Sequence, residues 1–289
     1  MAAKPFIRYI IISPVGFYWW KQLAAPFLKK KGWDVIEPAT FSYESSYGFN
    51  PDVIPAYKQV SQVEYSLHIS TAVVEYNGEP IYDSVFEPAS DRTVIDDLLA
   101  FMSLYDGVYW QYMWKEHRGS TANWKGSFAM QVSYDRNPRE PAGGRDEALS
   151  FFQKALTTIP TLDRRQFVLA IRWFFSALRE FEVGRPLVEA ALNWVCLESQ
   201  ANYLGLPGNK LQRVKSLLAR QGFPAIPHLA DLYRLRNNAF HDGQLSNLSE
   251  PDAQAARTAG RALARAQILN LIGMMHSDFE DGFVKLYAS

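Results

Sequence analysis

Beyond residue 160, apolar side chains recur every three or four positions: Phe167, Ile171, Phe174, Leu178 and Phe181, then Leu187, Ala191, Trp194 and Leu197. That spacing follows the roughly 3.6-residue turn of an α-helix and cannot lie on one face of a strand, where side chains alternate between faces. The second half of the chain must therefore bury its apolar surface helix against helix. Helices are expected over about 162–182, from Pro186 through Glu198, over 211–220, from about Pro227 to Phe240, and from Ser249 and Pro251 through Leu263, Leu269, Ile272 and Phe279. Short connections between them favour a bundle with neighbours packed antiparallel.

The first half has a different period. Phe6 to Ile12 is an aromatic and β-branched run ended by Pro14 and Gly16, which reads as a buried strand. Trp19, Trp20, Leu23, Phe27 and Leu28 have helical spacing interrupted by Pro26, and Lys29, Lys30, Lys31 and Gly32 close that segment as a solvated helix end. Val63 to Ile69 alternates apolar and polar residues, with His68 on the polar face. Ala72 to Tyr76 then leads into Asn77-Gly78 and on to Ile81 to Phe86, the pattern of a hairpin. Ser90 or Asp91 is placed to cap a helix bearing Val94, Ile95, Leu98, Leu99, Phe101 and Met102, and Val108 to Trp114 reads as another strand. His117, Arg118 and Trp124 fall in a polar loop. The stretch 135–144, rich in Pro, Gly and charge, has the composition of a linker.

The expected fold class is α+β: a mixed, β-rich, aromatic-rich domain over 1–145, suited to sensing or partner binding, followed by an all-α bundle over 146–289. With 289 residues, 48% of them hydrophobic, the chain can bury either core. Its 30 basic and 30 acidic residues balance, so no whole-molecule field draws it onto nucleic acid or an anionic membrane; anion binding has to come from a local patch. Cys196 is the single cysteine, which excludes an intrachain disulfide and a cysteine-rich zinc site and fits a reducing cytoplasm. His228 and His276 have no partner at metal-ligand spacing, and neither a metal nor another cofactor is expected. No apolar run approaches membrane-spanning length.

The candidate chemistry lies in Leu235 to Gly243. Arg236 offers phosphate a fixed fork of donors, and His241 exchanges its proton near neutral pH. On a helix the two are about 500° and about 7.5 Å apart, so they converge on one small anion only with extended side chains or a frayed last turn. Asn237 could orient the histidine or bind phosphate oxygen. Glu198, beside the apolar face of its helix, needs a cationic partner, and Arg236 is a plausible one. Lys210, Arg213, Lys215, Arg220 and Arg234 cluster around the motif, opposed by Asp231, as a local RNA-binding patch. The rival reading is structural: Arg236 pairs with a carboxylate, Asn237 bonds locally and His241 closes the helix C-terminus. Tyr233, Phe240 and Trp194 are expected in the core.

The order Ala170-Ile171-Arg172-Trp173, Pro186 to Glu198, Leu232 to Asn237 and His241-Asp242-Gly243 resembles the HEPN superfamily of helical domains, especially its ApeA-like branch, over roughly 162–275. The resemblance implies a bundle that pairs with itself so that two motif helices face each other. Many such proteins are metal-independent endoribonucleases, often in antiviral or toxin systems. The implied site is Arg236, Asn237 and His241, supported by Glu198, in a cytoplasmic homodimer acting on RNA, with the N-terminal domain free to meet a protein partner. The alternative is a non-catalytic module that binds RNA, nucleotide or a protein.

Overall fold

The computed structural model describes residues 5–12, 17–36, 71–88, 90–106, 110–118, 124–128, 145–182, 184–223, 228–241 and 248–273. The fold is α+β, and the chain divides into two compact units: Met1–Ile81 with Trp110–Gly143, and Tyr82–Tyr109 with Gly144–Ser289. A single first domain over 1–145 does not describe this arrangement, because the segment 82–109 belongs with the helices.

In the first unit, β1 (Phe6–Ile12) lies at the centre of an antiparallel sheet ordered β2-β3-β1-β4-β5, with β2 Trp33–Ile36, β3 Thr71–Asn77, β4 Gln111–Arg118 and β5 Trp124–Phe128. Ile7, Tyr9 and Ile11 alternate along β1 and are fully buried. On the opposite side of the same strand, Arg8 donates to Glu75 of β3 at 2.6 Å. The tryptophan-rich segment after β1 is helical in three parts: α1 (Phe17–Trp19), a π-helical turn over Trp20–Ala24, and α2 (Ala25–Lys29). Ala25 N–H reaches back to the Trp20 carbonyl, so the turn widens just before Pro26, which has no N–H to give. Gly32, at φ 83°, makes the left-handed turn into β2.

Two expectations for this half need correction. His117 and Arg118 end β4 and Trp124 begins β5, so they are strand residues, paired His117 with Lys125 and Arg118 with Trp124. Ile81 to Phe86 forms no strand: β3 pairs with β1 and β2, while the backbone N–H of Val85 donates to the Asp97 carboxylate at 2.6 Å. The alternating stretch expected before it, Val63 to Ile69 with His68, lies outside the described residues.

The second unit gathers the helices. The first, α3 (Val94–Asp106), starts at Thr93 rather than at Ser90 or Asp91: Ile95 N–H donates to Thr93 Oγ1 at 3.1 Å and Thr93 N–H donates to Asp96 at 2.8 Å. Its apolar face meets α4 (Arg145–Thr158), where Phe101 lies 5.5 Å from Phe152; Phe86 lies 5.4 Å from Phe167. These contacts draw 82–109 into the helical unit. Helix α4 was not anticipated, although Asp146 and Glu147 in its first turn and the buried Ala148, Phe152 and Ala155 behind them are helical signals.

Helices α5 (Arg164–Glu182), α6 (Pro186–Tyr203), α7 (Lys210–Arg220), α8 (Leu229–His241) and α9 (Glu250–Leu271) follow the expected order. Helix α9 ends at Leu271, where Gly273 turns to φ 65°, short of the expected Phe279, which lies outside the described residues. Pro186 opens α6, Asn209 and Gln212 form a capping box on α7, and Ser249 caps α9. The centre of the unit is α6, which contacts all four others. Gln166 on α5 bonds Gln200, and Cys196 donates to the Ala170 carbonyl, so α5 runs antiparallel to α6. Trp194 meets Tyr233, and one turn later Glu198 meets Arg236, so α6 and α8 run parallel. The reason is connectivity, since α7 intervenes and returns the chain to the starting end. Helix α9 comes close to α8 because Gly260 has no side chain; a Cβ there would stand 2.8 Å from Leu232.

Candidate functional site

The motif helix α8 is held by its apolar stripe. Leu232 and Leu235 are buried in one cluster with Trp194, Leu197 and Leu263. That register brings Arg236 to the border of the core, where its side chain retains 14% exposure. One guanidinium nitrogen, Nη2, stands 3.8 Å from Glu198 Oε2, and the other, Nη1, donates to Asn237 Oδ1 at 3.0 Å. Nε is buried and has no acceptor among the described residues. The guanidinium also lies 4.9 Å from the centre of the Phe240 ring.

Glu198 is the junction of three helices. Its Oε2 accepts a hydrogen bond from the Trp194 indole N–H at 2.9 Å, and Lys210 Nζ approaches Oε1 at 3.5 Å. The carboxylate therefore meets donors from α6, α7 and α8, none of them in a close bidentate pair. The expected Glu198–Arg236 partnership is present in the structure, and the roles of Trp194 and Lys210 in it were not foreseen. A carboxylate four residues after a tryptophan on one helix was the available signal, because that spacing stacks side chains on one face.

The other expected residues scatter. Arg213 fastens the turn before its own helix, donating to Gly208 O at 2.7 Å and Asn202 Oδ1 at 2.9 Å. Arg234 pairs with Asp231 at 3.1 Å, while Lys215 and Arg220 are exposed. The five cations thus form no single converged cluster: Lys210 and Arg213 already bind groups of the chain. Asn237 turns its oxygen to Arg236. His241 is the last residue of α8; its side chain, with Asp242 and Gly243, lies outside the described residues.

Phe240 departs from expectation. It is 57% exposed, whereas Trp194 is fully buried and Tyr233 packs against it at 4.9 Å. Tyr203 and Leu204, at the matching end of the parallel α6, are 41% and 43% exposed. The end of the bundle nearest the motif therefore presents aromatic and aliphatic surface beside a guanidinium.

His228 adopts φ 61° and contacts Asp231 at 3.4 Å, which gives it a local role at the start of α8; His276 lies outside the described residues. Among the described residues no group of three or more His, Cys, Asp or Glu side chains is placed to hold a metal ion, and no helix is long and apolar enough to cross a membrane. Comparison of the chain with protein-family models, curated proteins and solved structures finds no match.

Proposed function

We propose that the protein is a metal-independent endoribonuclease of the HEPN type, working as a homodimer with a composite site. The observation that carries this reading is that α8 stays helical through His241, with Arg236 placed about one and a half turns earlier beside Glu198. Five helical steps leave the two positions about 140° apart around the axis. One copy is thus poorly arranged to supply both groups, and a second motif helix facing the first removes the difficulty. The exposed Phe240, Tyr203 and Leu204 supply apolar surface at that end of the bundle.

In the proposed reaction the ribose 2′-oxygen attacks its own 3′-phosphorus, and the bond to the 5′-oxygen of the next nucleotide breaks. The products carry a 2′,3′-cyclic phosphate and a 5′-hydroxyl. RNA supplies the nucleophile, so no hydrolytic water or metal is needed for this step. His241 of one protomer takes the 2′-hydroxyl proton; the partner's His241 gives a proton to the departing oxygen. Arg236 stabilises the charge on the phosphorane-like transition state. A role in antiviral defence or a toxin system, in the cytoplasm, with the first unit sensing a partner, extends the same reading.

A second reading, a non-catalytic module, is favoured by one observation: Arg236 is mostly buried and already bound to Glu198 and Asn237. Incubating the purified protein with mixed RNA in chelator separates the two. The nuclease reading expects fragments ending in cyclic phosphate, with His241→Ala and Arg236→Ala each slowing cleavage about 100-fold or more. Equal cleavage by both variants removes this site from the mechanism, and intact RNA in every sample favours the module.

A further inference from the structure

Helix α5 carries a feature that the proposed site does not use. Its inner face is buried through Phe167, Ala170, Ile171, Phe174, Ala177 and Leu178, while its outer face bears Arg165, Arg172 and Arg179, all exposed. Heptad spacing drifts by only about 20° per repeat, so the three arginines form a stripe about 21 Å long and about 40° wide. Leu169 and Ser176 fill the space between them, and no carboxylate of α5 falls within the stripe. Glu180, at its edge, is turned to Arg185 at 3.4 Å. Arg172 touches Glu87 at 3.4 Å yet keeps 61% of its side chain exposed. With its cation that exposed, the contact is screened by solvent and leaves Arg172 donors for another anion.

The chemistry of the stripe selects a partner. All three cations are arginines, whose planar donor fork matches phosphate oxygens. With the apolar face of α5 locked into the core and only Leu169 among the arginines, the helix has little to insert into a lipid layer. A regularly charged polymer fits better: about 21 Å corresponds to about six phosphates of a stacked strand. The antiparallel packing of α5 on α6 sets the direction. Gln166, next to Arg165, bonds Gln200, two residues beyond Glu198, so the stripe begins at the end of the bundle that holds Arg236.

We infer that the Arg165–Arg172–Arg179 stripe is a docking track for the backbone of single-stranded RNA, leading to the Arg236 end of the bundle. The inference rests on RNA being the substrate, but it concerns binding and not the chemical step. The test is fluorescence anisotropy of the full-length protein with a labelled oligouridylate in a salt series, beside vesicles containing phosphatidylserine. The combined variant Arg165→Gln, Arg172→Gln, Arg179→Gln should weaken RNA binding about tenfold or more at low salt and reduce the slope of log K against log salt by about 2. A control with Lys29→Gln, Lys30→Gln and Lys31→Gln removes the same charge and should change neither, and melting curves establish that both variants fold. Unchanged slope in the arginine variant, no RNA binding by the unmodified protein, or vesicle binding that alone depends on the three arginines would each overturn the proposal. His241→Ala separates it from the nuclease reading. If that variant binds RNA through the stripe and the unmodified protein cuts nothing, the track stands and the nuclease fails. Cleavage with a stripe-independent affinity gives the reverse.

Discussion

Helix α6 carries two glutamates, Glu189 and Glu198, nine residues and about half a rotation apart, so they face opposite neighbours. Glu189 faces α9 and is 1% exposed. Arg261 reaches its Oε1 with Nη2 at 2.6 Å and Nε at 2.8 Å, and the guanidinium lies 3.5 Å over the Phe181 ring. Glu198 faces α8 and shares itself among Trp194, Lys210 and Arg236, with Arg236 at 3.8 Å. The first arrangement is closed: a dedicated cation, short contacts and an aromatic lid. The second is loose, at the edge of the core, beside exposed Phe240. A closed pair is a structural fastening, whereas a loosely held arginine retains donor capacity for an outside anion. Asp97 supplies a third case, a buried carboxylate bonded to Ser84 Oγ and Val85 N–H, each at 2.6 Å.

The sharpest way to break this comparison is to remove each glutamate. Glu189→Ala removes the buried carboxylate that holds Arg261 through two short contacts and should cost about 3–5 kcal/mol. Glu198→Ala leaves Lys210 in water and should cost about 1–2 kcal/mol, chiefly through the indole N–H and the mostly buried guanidinium, which keeps its bond to Asn237. Urea denaturation of the two variants measures the gap, and equal losses would erase the distinction.

Asp97 tests what burial does without a dedicated cation. Burial pushes its carboxyl up to about 7, against the partial counter-effect of the hydrogen bonds from Ser84 and the backbone. The unfolded chain would ionise this group near 3.8, so the folded state holds the extra proton between those values. Its stabilising contribution is complete below about pH 4 and is lost as pH rises toward 7, a swing of roughly 2–4 kcal/mol. Denaturation midpoints over pH 4–8 should show that slope in the unmodified protein and a flatter one in Asp97→Asn. The same slope in both would mean that the carboxyl ionises freely in the fold.

A smaller effect concerns the outer edge of the Glu198 side. Phe240→Ala should change stability by less than about 0.5 kcal/mol, because the ring is mostly in water, while Leu235→Ala, about one and a half turns earlier and buried, should cost about 2–5 kcal/mol. If Phe240 belongs to a dimer interface, sedimentation equilibrium will detect its loss although thermal melting at low concentration does not. Substantial monomer destabilisation by Phe240→Ala would place the ring in the core after all.

Much of the helical unit was legible because its signals are local. Pro186 at the start of α6, and Ser249 before α9 with Pro251 in its first turn, act within a turn of chain, and the apolar stripe on α5 repeats over about four turns. The failures share a different cause. Ile81 to Phe86 has strand composition, but Asp97 takes the Val85 N–H. Helix α4 was masked by the linker composition just before it. Phe240 is apolar and follows Leu232 and Leu235, yet the packing of α8 turns it outward. At the candidate site the pairing of Glu198 with Arg236 could be anticipated from the cost of burying a carboxylate. The shared use of that carboxylate by Trp194 and Lys210 could not, and neither could the diversion of Arg213 to Gly208 and Asn202.

By itself, the sequence determined the strand Phe6–Ile12 and the helices from Arg164 onward, since periodicity and capping depend on neighbours within a few residues. It also placed arginine, asparagine and histidine on one helix end. Only the tertiary structure decided that segment 82–109 joins the helices, that α6 and α8 run parallel, and that Glu189 and Glu198 live in different surroundings. Such outcomes depend on which groups meet across tens of positions in the chain. The strength of an ion pair depends on distance and burial, quantities that no local pattern of residues contains.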